Sequence, residues 1–547
     1  MKRKRTPLAK RLMAAASAIA LLLSLTSCTA PQKDAELAVL PTLKATQDEI
    51  FLIDRAALTE SEYIMLTSLQ GITAQSEAKI YIKDSDNIVY LERYLSEHSE
   101  ITRREFCSVW ELVAACMDSI AEKGCVLFEY GSNPTVNMAA TISGVEGWLA
   151  VPVELKEQAQ QAGLTVKRDL TEKDGGRYIA TQESVFEEYQ GRLNNNLVIH
   201  QSPELVTLRD YGIAAKAFCF YTDEENRAEV KFRNRVFAWA KQNAPVLGWS
   251  ADELGYVEQA SENGLFVLPS DHCTNLSFLT GWDTQTPVEQ RSRVQTITAD
   301  SSKHYVALVM SDGDNVQWYE TTLPFRDHFY DRAASSHDYK LTWTAPPLLQ
   351  KLAPSVLRYI YGMASENDRF IAGVSGTGYI NPTAYPQEYL ADFVGASVSA
   401  MKDAGLSGLA ILDNSTSKRK LKRAMAAYAQ RSEMNGALMQ IGDKYEELGG
   451  EILWCGDKPF ISARKSFWYT SDTEGETATK EWIAQFAEEI NALPADIHSP
   501  NGYSYINIHP WSTTMADLDE LVSLLDEDVE LVFAEELIEL VRANVPH

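Results

Sequence analysis

His304-Tyr305-Val306-Ala307-Leu308-Val309-Met310 runs straight into Ser311-Asp312-Gly313-Asp314-Asn315. The apolar run is too short for a core helix, carries two β-branched valines, and stops at an acidic turn built around glycine. That combination reads as a parallel strand buried on both faces, with two carboxylates at its C-terminal end. Similar runs follow at 340–344, 369–375, 408–413, 437–440, 451–455, 503–509 and 530–534. Helical patterns lie among them at 348–365, 387–404, 417–432, 480–493 and 515–525. Strands alternating with helices over about 245 residues match the size of one β/α barrel. An open doubly wound sheet uses the same alternation, and the barrel-like form is the preferred reading.

Working upstream, the polar stretch 283–302 marks a domain boundary. Before it, strand patterns at 49–54, 78–83 and 125–130 alternate with helical patterns at 60–75 and 110–122. Apolar runs at 197–200, 214–221 and 264–269 continue the mixture. The fold class is therefore α/β: a C-terminal β/α-barrel-like domain over 300–547, preceded by a smaller α/β region over 47–295 that is divisible into two subdomains.

The first eleven residues hold six cationic side chains and no acid, and an apolar run follows from Leu12 to Leu25. The run is shorter than the ~20 residues a membrane span requires, so residues 1–27 read as a signal peptide. Leu25-Thr26-Ser27-Cys28 resembles a bacterial lipobox, which makes Cys28 the expected lipidation site. Residues 28–46, with Pro31 and Pro41, read as a tether. The expected location is the cell envelope, with the body held by the lipid on the outer face of a bacterial membrane.

Residues 1–27 carry six of the 50 basic residues and none of the 76 acidic ones, so their removal takes the formal net charge from −26 to −32. Such a body repels nucleic acid and polyanionic substrates. Cys107, Cys116 and Cys125 lie close enough in sequence for a local disulfide. Cys116 and Cys125 sit in apolar patterns, however, and are read as buried thiols. The cysteine spacing shows no zinc pattern.

Function in either α/β architecture collects where strands end. The strand ends here present Asp312, Asp314 and Asn315; Gly376-Thr377-Gly378-Tyr379-Ile380-Asn381-Pro382; Asp413 and Asn414; Gln440; Gly456-Asp457-Lys458; His509-Pro510-Trp511; and Glu535-Glu536. Carboxylates, an imidazole and aromatic rings on one rim suit a sugar: rings stack on pyranose faces, and carboxylates and amides bind hydroxyls. Asp312 and Asp314 repel one another across a tight turn, which raises one of their pKa values and sets an acid beside a base. The bland alternative is that both acids only bond the turn backbone. Asp413 and Asn414 equally suit a helix cap, and Glu535 equally suits a helix N-terminus. Gly376 and Gly378 are read as letting backbone approach a ligand beside Tyr379. No G-x-S-x-G, H-E-x-x-H or nucleotide loop occurs, and Asp-Gly-Asp-Asn lacks the rest of a calcium loop.

The segments Gly376-Thr377-Gly378-Tyr379-Ile380-Asn381-Pro382 and Ser311-Asp312-Gly313-Asp314-Asn315 together resemble the GxGYxYP family of glycoside-hydrolase-like proteins. Asn381 stands where the naming motif has its second tyrosine. The likeness spans roughly residues 300–545, and the N-terminal half is similar in layout to the α/β domains that accompany the family. The resemblance implies a carbohydrate role and a barrel-like fold; it supplies neither a catalytic residue nor a sugar.

The resulting expectation is a lipid-anchored glycoside hydrolase acting on poly- or oligosaccharide outside the cytoplasm. Asp312 or Asp314 would work with Asp413 or Glu535 as the carboxylate pair. Asn315, Gly376, Gly378, Tyr379, Asn414, His509 and Trp511 would hold the sugar. No cofactor, no metal and no nucleic-acid partner is expected. Two alternatives stay open: a non-catalytic carbohydrate-binding lipoprotein, and a metal-dependent hydrolase centred on Asp312 and Asp314.

Overall fold

His304–Met310 is buried along its whole length and forms the centre of the largest sheet. It pairs in parallel with Tyr503–Ile508 on one side and Leu341–Ala345 on the other. Asp368–Ala372 extends the sheet beyond Leu341–Ala345, and Lys465–Phe467 extends it beyond Tyr503–Ile508. The computed structural model that shows this describes residues 40–46, 48–281, 288–335, 337–470 and 478–547. The expected signal peptide, Cys28 and the tether up to residue 39 lie outside the described residues.

A second sheet sets Ala410–Asp413, Ala437–Ile441 and Lys458–Ser462 side by side in parallel. The two sheets meet at both edges. Ala372 bridges Leu409, and its N–H donates to Gly408 O at 2.8 Å. At the other edge the chain passes from Lys458–Ser462 through Ala463 and Arg464 into Lys465–Phe467, where Arg464 N–H donates to Tyr505 O at 2.8 Å. Parallel strands thus follow one another round a barrel-like ring, with helices such as Gln387–Asp403, Lys418–Ala429 and Lys480–Asn491 between them. Val529–Leu531 adds to the start of His304–Met310.

One expected strand is misplaced. Ile452–Cys455 is antiparallel to Lys458–Ser462, so Gly456-Asp457-Lys458 is a hairpin turn and not a strand end facing the site. Asp457 is spent on an ion pair with Arg542.

The N-terminal region holds three parallel sheets. Glu49–Asp54 is flanked by Ile80–Lys83 and Thr102–Phe106; Gly124–Phe128 by Leu149–Pro152 and Thr165–Asp169. The third runs Phe218–Phe220, Val198–His200, Pro245–Gly248, Phe266–Leu268. Its last strand reaches the barrel: Val267 and Tyr379 form an antiparallel bridge, exchanging N–H···O bonds at 2.9 and 3.0 Å. The end of the expected tether is packed, with Leu43 and Ala45 buried and Ala45 bridging Ala78. The polar boundary is also bound down, since Gln290 donates to Phe370 O and Gly405 O at 2.9 Å. Cys116 and Cys125 are buried and free. Among the described residues no helix is long and apolar enough to cross a membrane.

Candidate functional site

The acidic turn after the central strand is held by one threonine. Thr344 Oγ1 donates to Met310 O at 2.7 Å and accepts from Gly313 N–H at 2.9 Å. Gly313 lies so close to the Thr344 carbonyl that a Cβ would stand 1.9 Å from it, so only glycine fits. Asp312 is forced into the left-handed region at φ 62, a conformation costly to a non-glycine residue and one that functional sites tolerate. This turn places Asp312 and Asp314 on the wall of a cavity of about 530 Å³, a size within the range of small-ligand sites.

The third N-terminal sheet closes the cavity from the opposite side. Its strand Pro245–Gly248 ends at Trp249, and the following helix Glu253–Glu262 begins with Glu253; both side chains line the wall. Tyr379 OH donates to Glu253 Oε1 at 3.1 Å, tying the glycine loop to this helix. Burial raises the Glu253 carboxyl. Asp312 is pushed up to about 7, first by burial and then by the charge of Glu253, while the Ser311 hydroxyl and Trp511 side chain favour its ionised form. Asp314 is pushed up to about 8 by burial, the Asp312 charge and, more weakly, Glu253. Three acids therefore face one cavity, and among the described residues none is ion-paired with an arginine or lysine.

The nearest basic group is His509, whose Nε2 lies 4.0 Å from Asp312 Oδ2. Burial lowers it to about 4, so it is neutral at ordinary pH. Its ring stacks on Trp468, with centroids 3.6 Å apart and planes 5° apart, and Nδ1 pairs with the Ser512 hydroxyl at 3.0 Å. Trp511 packs against Trp318 at 5.0 Å yet is 53% exposed, leaving ring surface for a ligand. Tyr445 completes the aromatic lining. Asp312 Oδ2 is buried without a hydrogen-bond partner, an acceptor left open at the cavity.

Three domain models of one family match in order along the chain. The "GxGYxYP_N second domain" covers residues 122–193, the "GxGYxYP third domain" 195–281, and the "GxGYxYP putative glycoside hydrolase C-terminal domain" 302–542. The chain belongs to the GxGYxYP family. A crystal structure described as a putative hydrolase from Bacteroides thetaiotaomicron superposes with a TM-score of 0.80 at 24% identity, over 93% of this chain and 98% of that one. That likeness is one of fold. No curated protein matches the chain.

The family motif itself packs differently from the sequence expectation. Gly376 and Gly378 do not reach the cavity. A Cβ on Gly376 would stand 2.3 Å from Ser397 Oγ, and one on Gly378 would stand 2.5 Å from Phe266 and 2.8 Å from Val267 O. Gly376 lets the loop lie against the helix Gln387–Asp403 and Gly378 lets it lie against the third N-terminal sheet, and of the motif Tyr379 lines the cavity. Asn381, at the position of the second tyrosine, is buried, with its N–H donating to Ser261 Oγ at 2.9 Å.

Asn315, Asn414, His509 and Trp511 line the cavity with Asp312, Asp314 and Tyr379. Asn315 also caps the helix Val316–Thr321, accepting from Trp318 N–H at 3.2 Å. The two expected partners of the Asp pair are not brought to it. Asp413 accepts from Thr383 N–H and Oγ1, both at 2.7 Å, and from Ser415 N–H at 2.8 Å, so it holds the loops together behind the wall. Glu535 pairs with Arg369 at 2.9 Å and accepts from Ser407 at 2.8 Å. Arg369 and Ser407 sit where their strands begin, the edge of the ring opposite Asp312. Gln440 is buried and donates to Asn507 Oδ1 at 2.8 Å.

Glu253, Trp249, Tyr445 and Trp468 are the site residues that sequence reasoning missed. A usable signal existed for three of them: Trp249 and Glu253 follow an apolar strand, Pro245–Gly248, and Trp468 directly follows Lys465–Phe467. Both strands are too short to show periodicity. Among the described residues no group of three or more His, Cys, Asp or Glu is arranged to hold a metal ion.

Proposed function

We propose that this protein hydrolyses glycosidic bonds, with Asp314 as general acid, Asp312 as the base or nucleophile, and Glu253 as the third carboxylate that tunes them. The convergence of three uncompensated carboxylates on an aromatic-walled cavity supports the reading most directly. Glycosidic cleavage needs one protonated and one ionised carboxyl on either side of the bond, and passes through a transition state with positive charge on the sugar ring. Burial and mutual repulsion keep Asp314 protonated at neutral pH. Asp312, pushed up less far than Asp314, gives up its proton first. As charge grows on the ring, the fixed carboxylates stabilise it without reorganisation. Trp511 and Tyr445 would stack on sugar faces, and Asn315 and Asn414 would bind hydroxyls.

The leading segment extends the proposal to location: a lipid on Cys28 would hold the body on the outer face of the membrane, where glycans arrive. Cys28→Ala would then move the protein from the membrane to the soluble fraction.

Aryl glycosides test the roles. A dinitrophenolate departs without a proton, so Asp314→Asn should retain turnover of a dinitrophenyl glycoside while losing that of an ordinary glycoside. Asp312→Asn should lose both. Equal retention of both substrates by either variant overturns the assignment.

A further inference from the structure

Hydrolysis uses two carboxyl groups, yet the cavity holds more of them than that. Beyond Asp312, Asp314 and Glu253, its wall includes Asp443 and Glu447, both on the segment that follows the strand Ala437–Ile441. The positive side is sparse. Lys444 is the one lysine lining the cavity among the described residues, and its Nζ is turned to Thr470 Oγ1 at 3.0 Å. His509 is held neutral, and Tyr379 and Tyr445 are held in their phenol form by burial and by the surrounding acids. The second mark of a missing partner is geometric. Asp314 is 7% exposed and lines the cavity with no side-chain hydrogen bond among the described residues, and Asp312 Oδ2 is buried and unbonded. Buried carboxylates ordinarily have a cation or several donors, and a ligand that brings a cation would satisfy both atoms.

From this geometry we infer that the substrate is a glycan carrying a protonated amine, with the unmatched carboxylates of the cavity receiving the ammonium group. This inference rests on the cavity being the sugar site, but not on its being hydrolytic. An uncharged sugar leaves the orphaned oxygens with hydroxyl donors only, and an acidic sugar adds to the repulsion. Binding of an ammonium should pull the proton off Asp312, since a cation beside a carboxyl favours its ionised form.

The test is calorimetric titration of the full mature chain at neutral pH with a β-linked glucosamine disaccharide, its N-acetylated counterpart, and a uronic acid disaccharide. Repeating it in buffers of different ionisation enthalpy counts the protons released. The expected result is at least tenfold tighter binding of the glucosamine disaccharide than of the acetylated one, proton release with the former only, and no binding of the acidic sugar. Asp443→Asn, at the rim and outside the reacting groups, should narrow the preference severalfold. Equal or tighter binding of the acetylated disaccharide, or no binding of the glucosamine disaccharide, overturns the inference. Bond cleavage scored in the same samples separates the two ideas. Amine-selective binding without cleavage sinks the hydrolase alone, and cleavage without amine selectivity sinks this inference alone.

Discussion

Replacing Asp314 by Asn should stabilise the protein while disabling it. In the unfolded chain this carboxyl titrates near 3.8, and in the fold near 8. For an acid raised in this way, folding takes up a proton at every pH between those values. Stability therefore falls as pH rises from about 4 and levels off above about 8. At pH 7 the ceiling on the penalty is the gap between pH and 3.8, about 4 kcal/mol at 1.36 kcal/mol per unit. Part of the shift comes from the Asp312 charge, which is itself half neutralised near pH 7, so a gain of about 1–3 kcal/mol is expected for the amide. Scanning calorimetry of wild type and Asp314→Asn at about pH 7.5 and about pH 4 reads it out. The variant should melt several degrees higher at the upper pH and level with wild type at the lower. Turnover of an ordinary glycoside should fall by about 10²–10⁴. Equal melting temperatures at both pH values, or a gain that persists undiminished at pH 4, would refute the picture of a buried, charge-crowded acid.

The same acids set the pH dependence of turnover. kcat/KM should fall below about pH 7 as Asp312 takes up its proton and above about pH 8 as Asp314 loses its own, a narrow bell that the variants distort. A sigmoid with a single limb counts against it. Glu535→Ala strips the partner from the largely buried Arg369 and should cost about 3–5 kcal/mol in urea unfolding, with kcat unchanged below the transition. A catalytic Glu535 would reverse that pattern. Gly378→Ala drives a methyl into Phe266 and the Val267 carbonyl, costing about 1–3 kcal/mol and shifting the helix that carries Glu253, so turnover should fall along with stability.

Legibility followed burial and length. The seven-residue strand His304–Met310 announces itself because a central parallel strand is apolar on both faces. Asp312, Asp314, His509 and Trp511 then follow from the rule that sites gather where such strands end. Asp413 and Glu535 show the limit of that rule. A strand-end acid also serves as a loop clamp, and the side chain's partners, Thr383 and Arg369, lie 30 and 166 residues away in sequence. Glycine carries a parallel ambiguity: Gly376 and Gly378 permit close approach, but the approaching group is Ser397 or Phe266 of the same chain, not a ligand. Glu253 was hidden for a topological reason. It lies 59 positions before Asp312 in a separate sheet, and its place in the cavity depends on the Val267–Tyr379 bridge, which no local pattern encodes.

The central claim is that carboxylates gathered on one cavity cleave a glycosidic bond. Release of reducing ends from a broad panel of glycans, amine-bearing ones included, by soluble protein starting after Cys28 beside folded Asp312→Asn, Asp314→Asn and Glu253→Gln tests it most directly. The account predicts release by wild type, loss by about 10² or more in both aspartate variants, and a weakened Glu253→Gln. Glycans bound but left intact by wild type across the panel, or release that survives in all three variants, would contradict it.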